Sequence, residues 1–286
     1  MLRSMFSGIS GMKGFQTQLD TVGNNIANVN TSGYKKGRTT FQDMMSQTVA
    51  GASAPTDIRG GINAQQVGLG SQVGSIDNIH TQGNRQTTDR TLDLALEGDG
   101  MFIFATGIDD DNFDLADANL EYSRAGNMYL DQEGYIVNSN GQYLVGSQEG
   151  TEEGQGERIQ IPENAASFSI QGNGVVNYID ENGDTQEAGQ ITLANFSNPG
   201  GLEKVGSNMY RSSVNDGMQG EDGIPDLIEP ESGGVASIVS GSLEMSNVDL
   251  AEEFTDMITA QRGFQANTRI ITTSDEILQE LVNLKR

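Results

Sequence analysis

Two apolar stripes, one near each end, dominate the pattern of this chain. At the N-terminal end apolar side chains fall at Leu2, Met5, Ile9, Met12, Phe15, Leu19, Val22, Ile26 and Val29. The steps are all three or four residues, the spacing of one face of a helix. The pattern stops at Asn30-Thr31-Ser32-Gly33, a run of turn and cap residues. At the C-terminal end Leu250, Met257, Phe264, Ile271 and Leu278 recur every seventh residue, and Phe254, Ile258, Ile277, Leu281 and Leu284 widen that face. Ser246 followed by Asp249 predicts a capping-box-like start. Asp249, Glu252 and Glu253 suit the positive end of the helix dipole, and Lys285 and Arg286 its negative end.

The N-terminal stripe carries Gly8, Gly11, Gly14 and Gly23. Each costs a helix interior roughly 1 kcal/mol relative to Ala, so an isolated helix here is marginal. Ser4, Ser7, Gly8 and Gly11 are small enough to let another backbone approach. The expectation is a helix completed by neighbours and disordered in the free monomer.

Between the stripes the pattern changes to short alternating runs. Thr91–Leu96 alternates up to the turn Glu97-Gly98-Asp99-Gly100, and Met101–Phe104 resumes the strand. Strands are predicted at 127–130, 135–137, 142–145, 167–170, 175–179 and 190–196, separated by Gly, Asn and Asp turns. This points to an antiparallel sandwich or irregular barrel. The fold class is α+β, with terminal helices forming a coiled-coil-like domain and a central antiparallel β domain. The domains expected are 1–30 with 243–286 as a helical assembly domain, 31–75 as an extended connector without strong periodicity, and 76–242 as the β domain.

Composition narrows the function. The 286 residues are 35% hydrophobic and 20% charged, which allows real cores and excludes wholesale disorder. The net charge is −24, and residues 51–236 alone hold 30 acidic against 7 basic residues and 29 of the 37 glycines. Such a field repels phosphate backbones and anionic membrane surfaces. There is no Cys, so no oxidising compartment is needed for folding. The opening segment lacks the continuous apolar core of a signal peptide, and no stretch approaches the ~18 apolar residues of a membrane span.

Catalytic chemistry finds little to stand on. With one His, His80, and no Cys, every Ser–His–acid or Cys–His arrangement would depend on that residue. Asp109–Asp114 offers oxygen ligands for calcium, but counting from Asp109 an EF-hand needs Gly where Asp114 stands and Glu where Leu120 stands. Asp180-Glu181-Asn182-Gly183-Asp184 reads as a hairpin turn. Gly98-Asp99-Gly100 follows a strand but opens no helix, so a dinucleotide fingerprint fails its context. The Asn30-Thr31-Ser32 sequon means little without a secretory signal. No catalytic residue, metal ligand or cofactor is expected. An enzyme or a secreted β-domain adhesin would not need helical stripes at both ends.

Three groups of residues do carry a resemblance. Gly23-Asn24-Asn25-Ile26-Ala27-Asn28-Val29-Asn30-Thr31-Ser32-Gly33-Tyr34-Lys35 closely resembles the signature of bacterial flagellar rod and hook proteins, and Phe41-Gln42-Asp43-Met44 is more hook-like. Gly241–Leu250, with Ser246, Asn247 and Val248, followed by Gln261-Arg262-Gly263-Phe264-Gln265, resembles the same family's C-terminal signature. The ending Asp275–Leu284 is similar to the hook version. Tyr122–Tyr129 with Asp131 and Gly134 resembles a shared β-domain motif, and Gly201–Tyr210 a stretch typical of distal rod proteins. Residues 109–119 and 217–234 stand out as acidic or Gly-rich insertions.

The resemblance implies a structural protein rather than an enzyme. Such a protein leaves the cell through the flagellar type III export apparatus without a cleaved signal. It then polymerises into a helical tube with terminal helices inside and the β domain outside. The expectation is a compact hook subunit, the flexible joint between rod and filament, with a distal rod subunit (a stiff drive shaft) as the alternative. Implied partners are copies of itself and other axial proteins of the rod, hook–filament junction and hook cap, with no nucleic acid and no membrane insertion. From the stripes, Leu250, Met257, Phe264, Ile271 and Leu278 are the expected C-terminal assembly seam, with Met5, Ile9, Met12, Leu19 and Ile26 as its N-terminal partners.

Overall fold

The computed structural model describes residues 2–55, 59–106, 118–147, 156–162, 164–181, 183–218, 220 and 225–284. It has the α+β architecture expected. A long helix stands near each end, α1 at Leu2–Ala27 and α2 at Leu250–Leu284, and the intervening elements are strands apart from one short 3-10 turn. The chain divides into two compact units. The first comprises Met1–Ala27, Gly37–Ile79 and Val248–Arg286; the second comprises Asn28–Lys36 and His80–Asn247.

In the first unit α1 ends at Ala27, short of the stop expected at Asn30–Gly33, so Val29 of the stripe lies beyond the helix. The start of α2 differs in detail from the expected box at Ser246. The cap is Asp249, whose Oδ1 accepts the N–H of Ala251 at 2.8 Å while its backbone carbonyl accepts the N–H of Glu253. A carboxylate here satisfies an orphan donor of the first turn and complements the dipole.

Residues 31–75, expected as a connector, contain strands. β1 (Gly37–Asp43) pairs antiparallel with β4 (Ser71–Asn78), with a register shift between Thr40 and Phe41. β2 (Ser46–Ala50) pairs with β3 (Gln65–Gly68). The physical reason they escape a sequence reading is exposure. Every residue of β2 and β3 is exposed, so no buried face imposes apolar alternation.

The second unit is built on an antiparallel sheet. β5 (Arg85–Thr87) pairs with Ser242–Glu244, and β6 (Leu94–Glu97) with Ser237–Ser240. β7 (Met101–Thr106) lies inside the main sheet between β8 (Asn119–Ser123) and the strand Tyr143–Ser147. The turn at 180–184 joins Val175–Ile179 to Thr185–Ile191 as a paired hairpin, as expected. The single run foreseen at 190–196 is instead split between Thr185–Ile191 and Leu193–Ala194.

β7 is buried on both faces, and its alternation sorts side chains into two cores. Phe102 and Phe104 point into a cluster with Leu94, Leu144 and Ile191; Met101, Ile103 and Ala105 point into another with Tyr122, Val145 and Tyr210. The candidate calcium loop Asp109–Asp114 and part of the 217–234 insertion lie outside the described residues.

Candidate assembly surface

The helical pair is the first element of the site. Gly8 lies against Ile271 and Asn267, Phe15 against Gly263, and Asn25 against Glu253, so α1 and α2 run antiparallel. Close approach accounts for the glycines. A Cβ at Gly11 would stand 2.7 Å from Asn267 Nδ2, and one at Gly263 would stand 2.6 Å from the Phe15 ring. Of the helix-weakening residues of the N-terminal stripe, Gly8 and Gly11 therefore face a partner helix of the same chain, while Gly14 lies against Phe41 of β1 and Gly23 meets nothing within 4 Å.

On α2 the covered positions include Glu253, Met257, Ala260, Phe264, Asn267, Ile271, Ser274 and Leu278, in steps of four and three, with Asp256 and Gly263 half-buried beside them. That is a heptad seam, but every second position is polar or small. Of the C-terminal residues singled out in sequence, Met257, Phe264, Ile271 and Leu278 sit half-buried in this seam; Leu250 is exposed. Met5, Ile9, Met12, Leu19 and Ile26 are half-buried on α1, and Met12 Sδ accepts the Thr268 hydroxyl. A second set of apolar side chains stays in solvent: Phe6, Leu250, Phe254, Ile258, Ile270, Ile277, Leu281, Val282 and Leu284. So much exposed aliphatic and aromatic surface, Phe6 on α1 and the rest on α2, marks an interaction surface.

Polar pins lock the pair to the ribbon behind it. Asn25 is buried; its Nδ2 donates to both carboxylate oxygens of Glu253 and to the Gly37 carbonyl, and its Oδ1 accepts the Gly37 N–H. Thr39 donates to the Thr21 hydroxyl at 3.0 Å, and Phe15 packs on Phe41 with ring centroids 5.8 Å apart.

The remaining signature residues meet in the second unit. Asn28 accepts the Thr31 N–H and hydroxyl in a tight turn. Gly33 has φ +70° and a Cβ there would stand 2.6 Å from the Ala125 nitrogen, so no other residue fits. Its N–H donates to the Glu244 carbonyl. Lys35, fully buried, donates from Nζ to Glu244 Oε1 at 2.6 Å and to the Thr81 carbonyl at 2.8 Å. Arg124 faces the other carboxylate oxygen of Glu244 at 3.4 Å, and the Gly83 N–H also donates to Glu244. Asn247 accepts the Lys36 N–H and donates to Thr81. Segments more than 200 residues apart in sequence are thus tied by one buried carboxylate.

Burial pushes the Lys35 ammonium below its ordinary pKa, against the opposing pull of Glu244. His80 lies nearby, its ring 5.4 Å from that of Tyr210, beside a cavity of about 190 Å³ that Asp99 and Arg124 also line. Burial, reinforced by Lys35, Arg124 and Lys204, lowers its pKa to about 4. Neither ring nitrogen has a hydrogen-bond partner among the described residues, so nothing there orients it as a base. Asn24, Ala27, Gln261 and Arg262 are exposed, Val248 is half-buried and Ser246 is buried. Glu244, Glu253 and Arg124, the acceptors and donor at the centre of these networks, carry no sequence signal of their own beyond lying in or near the signature segments.

Paired terminal helices with exposed apolar side chains and buried polar ties are the geometry of a structural subunit that presents an interaction surface. Comparisons with known proteins agree. A family model for flagella basal body rod protein matches residues 5–35, one for the flagellar hook protein FlgE/F/G D1 domain matches 95–178, and one for the flagellar basal body rod FlgEFG protein C-terminal matches 239–284. The chain is 53% identical to the flagellar basal-body rod protein FlgG of Bacillus subtilis (strain 168) over 286 residues, covering all of both chains. It is 35% identical over 287 residues to the FlgG of Caulobacter vibrioides, covering 99% of this chain and 100% of that one. Against the flagellar hook protein FlgE of Borreliella burgdorferi the identity is 32%, and that alignment spreads over 459 positions while covering both chains in full. The chain belongs to the flagellar rod and hook family, a structural family of the flagellum. Its similarity to rod proteins exceeds its similarity to hook proteins, which reverses the order expected from the hook-like Phe41–Met44 and Asp275–Leu284. Among the described residues no helix is long and apolar enough to cross a membrane.

Proposed function

We propose that this chain is a distal rod subunit of the flagellar basal body, which polymerises with copies of itself and joins other axial proteins to form the stiff drive shaft. The observation that carries the reading is end-to-end agreement in length and sequence with a basal-body rod protein at 53% identity. The alignments to hook relatives need 459 and 469 positions for a 286-residue chain, so those relatives carry long additional segments. The subunit leaves the cell through the flagellar type III apparatus and acts within the flagellum.

The assembly mechanism follows from the helical pair. Met5, Met12, Leu19, Ile26, Met257, Phe264, Ile271 and Leu278 hold the two helices of one subunit together, while Ile9 lines a groove on the side of α1 that faces β1 and β4. Leu250 and the exposed set around Phe254, Ile258, Ile277 and Leu281 are buried by neighbours. Each apolar side chain moved fully out of water contributes ~1.5–3 kcal/mol before the ordering cost, so even half of this face suffices to drive association.

Electron microscopy of polymer grown from the purified chain tests the reading. Straight, rigid tubes are expected. Curved, supercoiling tubes identify a hook subunit instead.

A further inference from the structure

In the first unit an open groove of about 610 Å³ runs between α1 and the β1–β4 ribbon. Phe6, Ile9, Met44, Leu69 and Val73 make it apolar, and Phe6 is 68% exposed. Arg3 and Lys13 stand at its rim, both exposed, and neither makes an ion pair among the described residues.

The other half of the fit is the end of α2. By the antiparallel register, the start of α1 falls opposite ~residue 276 of α2, so α2 runs on alone for about two turns, roughly 12 Å. This overhang presents Ile277, Leu281 and Leu284 to solvent at helical spacing. Glu276 and Glu280 flank the stripe, and they too make no ion pair among the described residues. Groove and overhang are therefore both apolar, with basic groups on one and acidic groups on the other.

We infer that the 277–284 overhang of one subunit seats in the α1/β1–β4 groove of a second copy, with Glu276 and Glu280 facing Arg3 and Lys13. The occupant is another copy because α2 is one continuous helix through Leu284 and cannot turn back into a groove alongside residues 3–17 of its own α1. Tail and groove are different patches, so the contact is head-to-tail; repeated, it builds a ring or a helical filament and not a two-fold dimer. This inference rests on the polymer-forming reading above and specifies one of its contacts.

The absence of cysteine makes the test clean. Full-length Phe6→Cys and Leu281→Cys variants are mixed under mild oxidation while self-association is followed by sedimentation. Interchain disulfide is expected in the mixture and in neither variant alone. Glu276→Lys with Glu280→Lys should weaken association about tenfold, and combination with Arg3→Glu and Lys13→Glu in the second copy should restore it. If the chain associates but the mixture does not cross-link, another segment covers the groove and this contact is wrong while polymerisation stands. If the unmodified chain stays monomeric at every concentration, the contact and the polymer reading both fall.

Discussion

Asn25 donates its side-chain amide to both carboxylate oxygens of Glu253, at 3.2 and 3.1 Å, across 228 residues of sequence. Both side chains are buried, and the same asparagine exchanges two hydrogen bonds with the Gly37 backbone. One residue thus holds α1 to α2 and to the first strand of the ribbon. Asn25→Leu leaves a buried carboxylate and two backbone groups without these partners, at a cost of about 3 kcal/mol. Urea unfolding of the full chain measures this. A loss below about 0.5 kcal/mol would show that water substitutes for the amide.

Glu244 sits between two buried cations, Lys35 and Arg124. Glu244→Gln leaves both positive charges without their counter-ion and should destabilise by about 3–5 kcal/mol. Lys35→Met removes one charge and still leaves the Glu244–Arg124 pair, so it should cost less. Thermal melts of the two variants give the order directly. Equal losses would mean that the site responds to shape and not to charge.

Much of this architecture is legible in the amino-acid sequence. The two helices, most central strands and their turns follow from spacing, because each has a buried face that enforces a period. The ribbon at 37–78 was not legible, since β2 and β3 expose every side chain and β1 is mostly exposed. The seam was half legible. Met257, Phe264, Ile271 and Leu278 announce it, while Glu253, Ala260, Asn267 and Ser274 alternate with them and carry no apolar signal. In sequence Glu253 reads only as a dipole-complementing acid of the first turn; the placement of Asn25 makes it a buried acceptor. The local motifs point both ways, hook-like at Phe41–Met44 and Asp275–Leu284 and rod-like at Gly201–Tyr210, so they carry the family but not the choice within it.

The single histidine predicts a pH dependence. Burial and the nearby Lys35, Arg124 and Lys204 hold His80 neutral down to pH about 4, whereas the unfolded chain protonates it near 6.5. The unfolded state therefore binds more protons between these values, and stability falls as pH drops from 6.5 towards 4. The full effect is about 3 kcal/mol. Chemical denaturation of the wild type and of His80→Gln across that window isolates it from the carboxylates. The difference between the two should shrink as acid is added, and a constant difference would remove His80 from the acid response.

The division of α2 into a seam and an outer face gives a prediction that separates folding from assembly. Phe264 is half-buried against α1, so Phe264→Ala should lower monomer stability by about 2 kcal/mol, below the range for a fully buried phenylalanine. Ile258 is on the exposed side, and Ile258→Asp should leave monomer stability within about 0.5 kcal/mol. The same Ile258→Asp places a charge where a neighbour's apolar surface must close, so the concentration needed for polymer should rise about tenfold or more. Circular dichroism melts of the dilute chain and pelleting of polymer read the two quantities separately. If Ile258→Asp melts early and polymerises normally, that face packs within the subunit and the assignment of seam and surface must be exchanged.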